Sequence, residues 1–173
     1  MRLSLLPALD HPDLLGAPVA GALKEWPPAT LAQVAEIDPA YADTAAMCEA
    51  YEFPMSGSVN CVLVAGKRDG HERIAACLVR ADTRADVNGV VKRTLDVRKA
   101  SFLPMDRAVA ESSMEYGGIS PIGLPEGWRL LIDSRAVDVE LACIGSGVRH
   151  SKLFLPGRAL AELPRAEVLG LAT

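Results

Sequence analysis

Residues 58–81 read SVNCVLVAGKRDGHERIAACLVRA, two apolar runs separated by a short polar stretch. The runs at 58–66 and 73–81 are rich in Val, Ala, Leu and Ile, as strands are, and Asp69-Gly70 between them is a strong two-residue hairpin signal. Working outward, SKLFLP, DVELACIGS and WRLLIDS are further strand candidates, with turns expected at Ser134-Arg135 and at Gly145-Ser146-Gly147. TLAQVAEI at 30–37 reads as a strand, and AEVLGL near the C-terminus as an edge strand.

The helical signals are fewer. Residues 14–25 suit a short helix ended by Trp26-Pro27-Pro28, and Asp38-Pro39 resembles a cap and first helical position opening a helix to residue 51. Asp86 caps VNGVVKRTL, in which Val87, Val90, Val91 and Leu95 share one face. A third helix is expected over 106–114, capped by Asp106, and GRALAELP forms a short final one. Strands outnumber helices and several are hairpin-linked. The expected fold is therefore α+β, with a mixed, strongly curved, barrel-like sheet flanked by helices. A doubly wound sheet would need regular strand–helix alternation, which the second half lacks.

The chain has 173 residues, half of them apolar and 5% aromatic, so a core of Ala, Val, Leu and Ile can form without disulfides or metal. With no repeat or long linker, residues 1–173 read as a single domain, in which 1–55 supply N-terminal helices and a strand and 56–173 the core. No 18-residue apolar run exists, and the start is broken by Pro7, Asp10 and Asp13, so neither a membrane span nor a signal peptide is expected. A cytoplasmic chain follows from this reading.

Cys48, Cys61, Cys77 and Cys143 contain no C-x-x-C pair, and His11, His71 and His150 are far apart. Reduced, structural thiols and no metal or other cofactor are expected. Charge is uneven: residues 1–66 carry 2 basic and 8 acidic side chains, whereas 67–107 carry 10 and 6. Lys92, Arg93, Arg98 and Lys99 gather at one helix and its exit. They suit either a solvated surface or a face that meets phosphates.

The stretch SMEYGGISPIGLP at 113–125 carries more turn signals than a connection needs. Gly117 and Gly118 let another molecule approach the main chain, Ser120 before Pro121 is biased to an extended conformation, and successive amides there can cradle an anion or a carbonyl oxygen. Alone, such a loop is most often a turn. In its context the chain resembles the YbaK family, freestanding relatives of the editing domain of bacterial prolyl-tRNA synthetases. The resemblance rests on DVNGVVKRTLDVRKASF at 86–102, GGISPIG at 117–123, LLID at 130–133 and IGSG at 144–147.

That resemblance implies a trans-acting, metal-free enzyme that hydrolyses the ester of a mischarged aminoacyl-tRNA. Its G-x-x-x-P loop, Gly117 to Pro121 with Ile119 inside it, would line the aminoacyl pocket. The partners implied are the acceptor end of an aminoacyl-tRNA and, secondarily, an aminoacyl-tRNA synthetase; neither DNA nor membrane is expected. Asn60 stands where the family usually carries a lysine, and supplies hydrogen bonds without charge. Gly145 stands where relatives often have Ser or His, with Ser146 and Gly147 beside it. Ser112-Ser113 replace the family's Thr-Gly.

The expected site is thus Asn60, Gly117, Gly118, Ser120 and Ser146 as catalytic residues, with Ile119, Pro121, Gly145 and Gly147 lining it. Lys92, Arg93, Arg98 and Lys99 would meet acceptor-stem phosphates. The alternative is a catalytically degenerate binding module for an aminoacyl-tRNA end, a small amino-acid derivative or a protein partner. A Cys61 nucleophile is a weaker option, because no histidine is placed beside it, and Asp133 suits a structural role.

Overall fold

The computed structural model describes residues 1–173. The hairpin forms as the sequence demands: β3 (Val59–Arg68) and β4 (His71–Arg80) pair antiparallel along their full lengths. Asp69 and Gly70 both have positive φ, 51° and 79°, which gives the turn the twist a two-residue hairpin needs.

β3 and β4 sit inside a five-stranded sheet of order β5-β3-β4-β6-β9, where β5 is Ala100–Phe102, β6 Arg129–Asp133 and β9 Ala166–Leu169. β5 is antiparallel to β3, whereas β6 and β9 run parallel to β4 and to each other, respectively. A second, antiparallel sheet has the order β1-β2-β8-β7, with β1 Leu6–Pro7, β2 Gln33–Glu36, β7 Ala142–Gly145 and β8 Ser151–Leu155. The mixed α+β class is as expected, but the strands form two sheets and no closed barrel. One edge of β3 is shared: Ser58, just before the strand, makes a single bridge to Cys143 of β7, and Val64–Gly66 further along pair with β5.

Strand alternation distributes the core. Ile74, Ala76 and Leu78 of β4 face the main cluster between the sheets, while Ala75, Cys77 and Val79 face a second cluster containing Val91, Leu95 and Val97. On β8, Leu153 and Leu155 enter the main cluster, and Phe154 points the other way, to Met47, Cys48 and Tyr51. Lys152 shares the Phe154 side of the strand, a charged residue inside an otherwise apolar run.

The helices depart from expectation at their ends. α1 spans Ala17–Lys24. Of the expected strand at 30–37 only β2 forms, because Pro27 and Pro28 open a 3-10 turn over Pro27–Leu31. The helix expected from Pro39 is split into a 3-10 turn, Pro39–Tyr41, and α2, Thr44–Ala50, with Asp43 extended between them at φ −67° and ψ 141°. Asp86 does cap its segment, accepting from the Val90 amide at 3.2 Å, but that segment is a π-helical turn, Val87–Val91, continued by α3, Lys92–Leu95. α4 runs Met105–Ser112 with Pro104, not Asp106, at its N-cap; Asp106 lies in the first turn, where a carboxylate favours the helix dipole. Ser134 and Arg135 belong to a short helix, α5 (Ser134–Val137), instead of a turn, and α6 is Gly157–Leu160.

Candidate active site

A half-enclosed cavity of about 340 Å³ opens where the two sheets meet. Its walls are the start of β3, the end of β7, Asp43 to Met47 at the head of α2, Met105, and the Tyr116–Gly117–Ile119 side of the glycine loop. Lys152 of β8 closes it. Asn60, Gly117, Ile119 and Gly145, named from sequence, are all brought together here.

The polar groups are few, and two of the side chains, Asn60 and Lys152, are held by protein partners. Thr44 Oγ1 donates to Asn60 Oδ1 at 2.7 Å, which leaves the amide donors of Asn60 without a protein partner. Lys152 Nζ donates to the Gly117 carbonyl at 3.1 Å, one of its three donors, and the residue is only 6% exposed. Burial pulls the Lys152 ammonium below the ordinary lysine range; nearby Cys143 and Asp43 oppose that shift, and Arg149 adds to it. A lysine therefore stands in this cavity despite Asn60, delivered by β8 instead of β3. The signal in the sequence was the single cation in SKLFLP.

The loop is shaped by close packing. Gly117 has φ 77°, a conformation that suits glycine, and a Cβ there would lie 2.7 Å from Arg149 Nη1. A Cβ on Gly118 would meet the main chain of Val148, with its carbonyl carbon at 2.7 Å. Gly147 N donates to Gly118 O at 2.6 Å. Arg149, absent from the sequence-based site, clamps the loop. It donates to Tyr116 O at 2.9 Å and Pro39 O at 3.0 Å, and its guanidinium lies 5.5 Å from the centroid of the Tyr116 ring.

Four of the named residues lie outside the cavity wall along with Gly118. Ser120 is fully buried and its hydroxyl accepts from the Ile122 amide at 3.2 Å, an internal turn brace. Ser146 is also fully buried, bonded to Ser151 O at 3.0 Å and to Ser151 Oγ at 2.7 Å. Gly147 packs against Gly16, and Pro121 faces a separate hollow beside Trp26 and Trp128. Both serines bond within the fold, where the loop and the 145–147 turn lie against each other.

Cys61 lines the cavity beside Asn60, but burial and the neighbouring Cys77 push its thiol well up, and Cys143 is pushed up to about 12, mainly by burial. Neither carries the thiolate that nucleophilic attack requires at neutral pH. Asp133 is buried, accepting from the amides of Leu171 at 2.8 Å and Ala172 at 3.2 Å, a structural anchor. No helix is long and apolar enough to cross a membrane.

Lys92 is half-buried and Arg93, Arg98 and Lys99 are exposed, on or just after α3, whose Leu95 packs with Ala75, Cys77 and Val79 on the face of β4 away from the main cluster. Arg98 lines a surface hollow with Lys67 and Arg68 at the hairpin tip. Eight residues of extended strand separate Asn60 from Arg68, roughly 26 Å at about 3.3 Å per residue.

A match to the family described as aminoacyl-tRNA editing domain covers residues 38–163, which contain every residue of this cavity. The chain belongs to that family. A comparison with curated proteins returns no match. Among solved structures, the editing domain resembles a candidate trans-editing enzyme for prolyl tRNA synthetase (TM-score 0.77, 16% identity, covering 91% of this chain and 96% of that one). It also resembles the hypothetical protein APE2540 (TM-score 0.75, 18% identity, 88% and 99% covered). A candidate signal transduction protein from Marinobacter aquaeolei VT8 carries the same fold over 31% of its length (TM-score 0.63, 16% identity, 92% of this chain covered). At these identities the structural likenesses speak to fold, and the family match speaks to aminoacyl-tRNA editing.

Proposed function

We propose that this editing domain hydrolyses, in trans, the ester joining a mischarged amino acid to its tRNA. The observation that carries the reading is Lys152: a nearly buried ammonium anchored on the Gly117 carbonyl, with two donors left for a ligand. Water adds to the ester carbonyl carbon, the bond to the ribose oxygen breaks, and that oxygen leaves with a proton. The products are a free amino acid and an uncharged tRNA end. Negative charge grows on the carbonyl oxygen as water adds, and donors already fixed in a half-enclosed site stabilise it without reorganising.

In this reading Lys152 and the Asn60 amide face the developing oxyanion, and Gly117 with Ile119 holds the acyl group. Arg149 positions the loop. Gly118, Ser120, Ser146 and Gly147 shape it from behind. Tyr116 and Met105, both 50% exposed at the rim, offer apolar faces to the terminal base. Arg93, Arg98 and Lys99, with Lys67, would meet phosphates further along the acceptor stem. A degenerate binding module is suggested by Asn60 in place of a lysine; Lys152 in the same cavity favours the enzyme.

The test is deacylation of a panel of charged tRNAs, including Ala-, Cys-, Ser- and Thr-charged tRNA for proline, by the parent and by Lys152→Met. Cleavage of one species, lost in the variant, is expected. Cleavage unaffected by Lys152→Met would refute this mechanism, and no cleavage of any species above the spontaneous rate would refute the activity for that panel.

A further inference from the structure

Asp43 occupies the N-cap of α2, yet its side chain accepts no bond from the helix's first amides. That is unusual for this residue type, whose customary work at an N-cap is to satisfy those donors. Elsewhere in the chain two aspartates do it: Asp38 accepts from Ala40 and Asp86 from Val90. The Asp43 carboxylate is exposed, has no ion-pair partner, and stands on the lip of the cavity. Its Oδ1 lies 3.5 Å from where a Cβ on Gly117 would sit.

Gly117 thus has a free carboxylate beside its α-carbon and the Lys152 ammonium on its carbonyl. The two charges feel each other, since Asp43 favours the protonated lysine, but they do not close into a pair. A ligand that satisfies both must bring a cation to the lip and an electron-rich oxygen to the interior, only a few bonds apart. The ester of an amino acid with a free α-ammonium does so, because its nitrogen and its carbonyl carbon share one α-carbon. An N-acylated ester brings a neutral, bulkier amide to the same carboxylate and forgoes the charge-assisted hydrogen bond that an ammonium makes there.

We propose that Asp43 is the anchor for the substrate's α-ammonium, so that the site selects esters of free amino acids and rejects N-acylated ones. This deepens the editing function proposed above and rests on it. Asp43 is a specificity residue here, and chemistry at the carbonyl stays with the groups on the other side of Gly117.

The test compares alanyl-tRNA with N-acetylalanyl-tRNA as substrates for the parent, Asp43→Asn and Asp43→Ser. Serine keeps an N-cap residue and guards against a folding defect, which thermal melts of both variants also read. The parent should prefer the free amine by about tenfold or more in kcat/KM. Both variants should lose that preference, by slower cleavage of the free-amine ester with the acetylated one unchanged. Equal cleavage of the two esters by the parent, or an equal drop on both in the variants, would overturn the assignment. If the parent cleaves no ester, the editing reading fails, and calorimetry decides the role of Asp43 separately. The probe is then 3′-alanylamido-3′-deoxyadenosine, which cannot be hydrolysed at an ester, with its amine free or acetylated. Tighter binding of the free amine, abolished by Asp43→Asn, supports the anchor; equal binding, or none, overturns it.

Discussion

Replacing Gly145 with alanine puts one methyl group at the contact on which the site depends. A Cβ at that position falls 2.7 Å from the carbonyl carbon of Ile119 and 2.8 Å from the carbonyl oxygen of Gly118, and nearer still to the oxygen of Ile119. Comfortable carbon contacts begin near 3.5 Å, so the glycine loop must retreat by about 1 Å. Every obstructing atom is main chain, so no side-chain rotation relieves the clash. Overpacking of this kind costs about 1–3 kcal/mol, which for a chain of this size lowers Tm by roughly 3–10 °C. A shift of about 1 Å in a positioning loop is also enough to cost on the order of 100-fold in rate. Thermal melts and deacylation kinetics read the two effects separately. Gly21→Ala is the control, since that helical glycine has nothing within 4 Å of the added carbon and should gain about 0.5–1 kcal/mol. A Gly145→Ala protein that melts within about 1 °C of the parent and deacylates at the parent rate would refute the packing account of this loop.

Lys152→Met should abolish deacylation while leaving the protein equally or more stable, because it removes a charge whose burial disfavours it. The pH dependence has a definite sign. Below the lowered folded-state value both native and unfolded chains hold the proton and the burial penalty is fully present. As pH rises through that value toward the unfolded value near 10.4 the penalty is lifted, so the parent gains on the variant, in denaturant melts, as pH climbs toward about 10. Cys77 and Cys143, pushed up to about 12, act in the opposite direction above about pH 8.5. The difference between the two proteins removes the thiol contribution. Arg149→Lys should raise KM for aminoacyl-tRNA by about tenfold with a small change in Tm, because an ammonium cannot bridge Tyr116 O and Pro39 O while covering the Tyr116 ring. Charge reversal at Lys67 and Arg98 should weaken tRNA binding and flatten the slope of log K against log salt by roughly 0.7–0.9 for each phosphate that is no longer neutralised, as filter binding across a salt series would show.

The hairpin and its turn were readable because alternation and Asp69-Gly70 act locally, and the sheet faces of β4 follow the same alternation. The division into two sheets was not, since it depends on which neighbour each stretch of the β3 edge meets. The helix ends at Pro39 and Met105 differ from expectation for a related reason: a proline signals that a helix can start, and tertiary packing decides where it does. At the site, Asn60, Gly117, Ile119 and Gly145 were found through motif positions. Lys152 was not, because a lone lysine in a strand gives no clue to which face, and hence which cavity, it serves. Ser120 and Ser146 looked like site hydroxyls by their motif positions, and only the fold reveals that both are buried and bonded to neighbours within it.

The family match begins at residue 38, yet β2, which lies before that point, is hydrogen-bonded to β8 along its whole length, with Ala35 opposite Lys152. The hydroxyl of Ser151, the neighbour of Lys152, also donates to the carbonyl of Leu14. A protein trimmed to its recognisable portion would therefore keep every residue of the cavity and lose the brace behind the lysine. Lys152 would then ride on a sheet margin paired only to β7, open on its other side to water and to other strands, so the recognisable part of the chain leans on the part that is not.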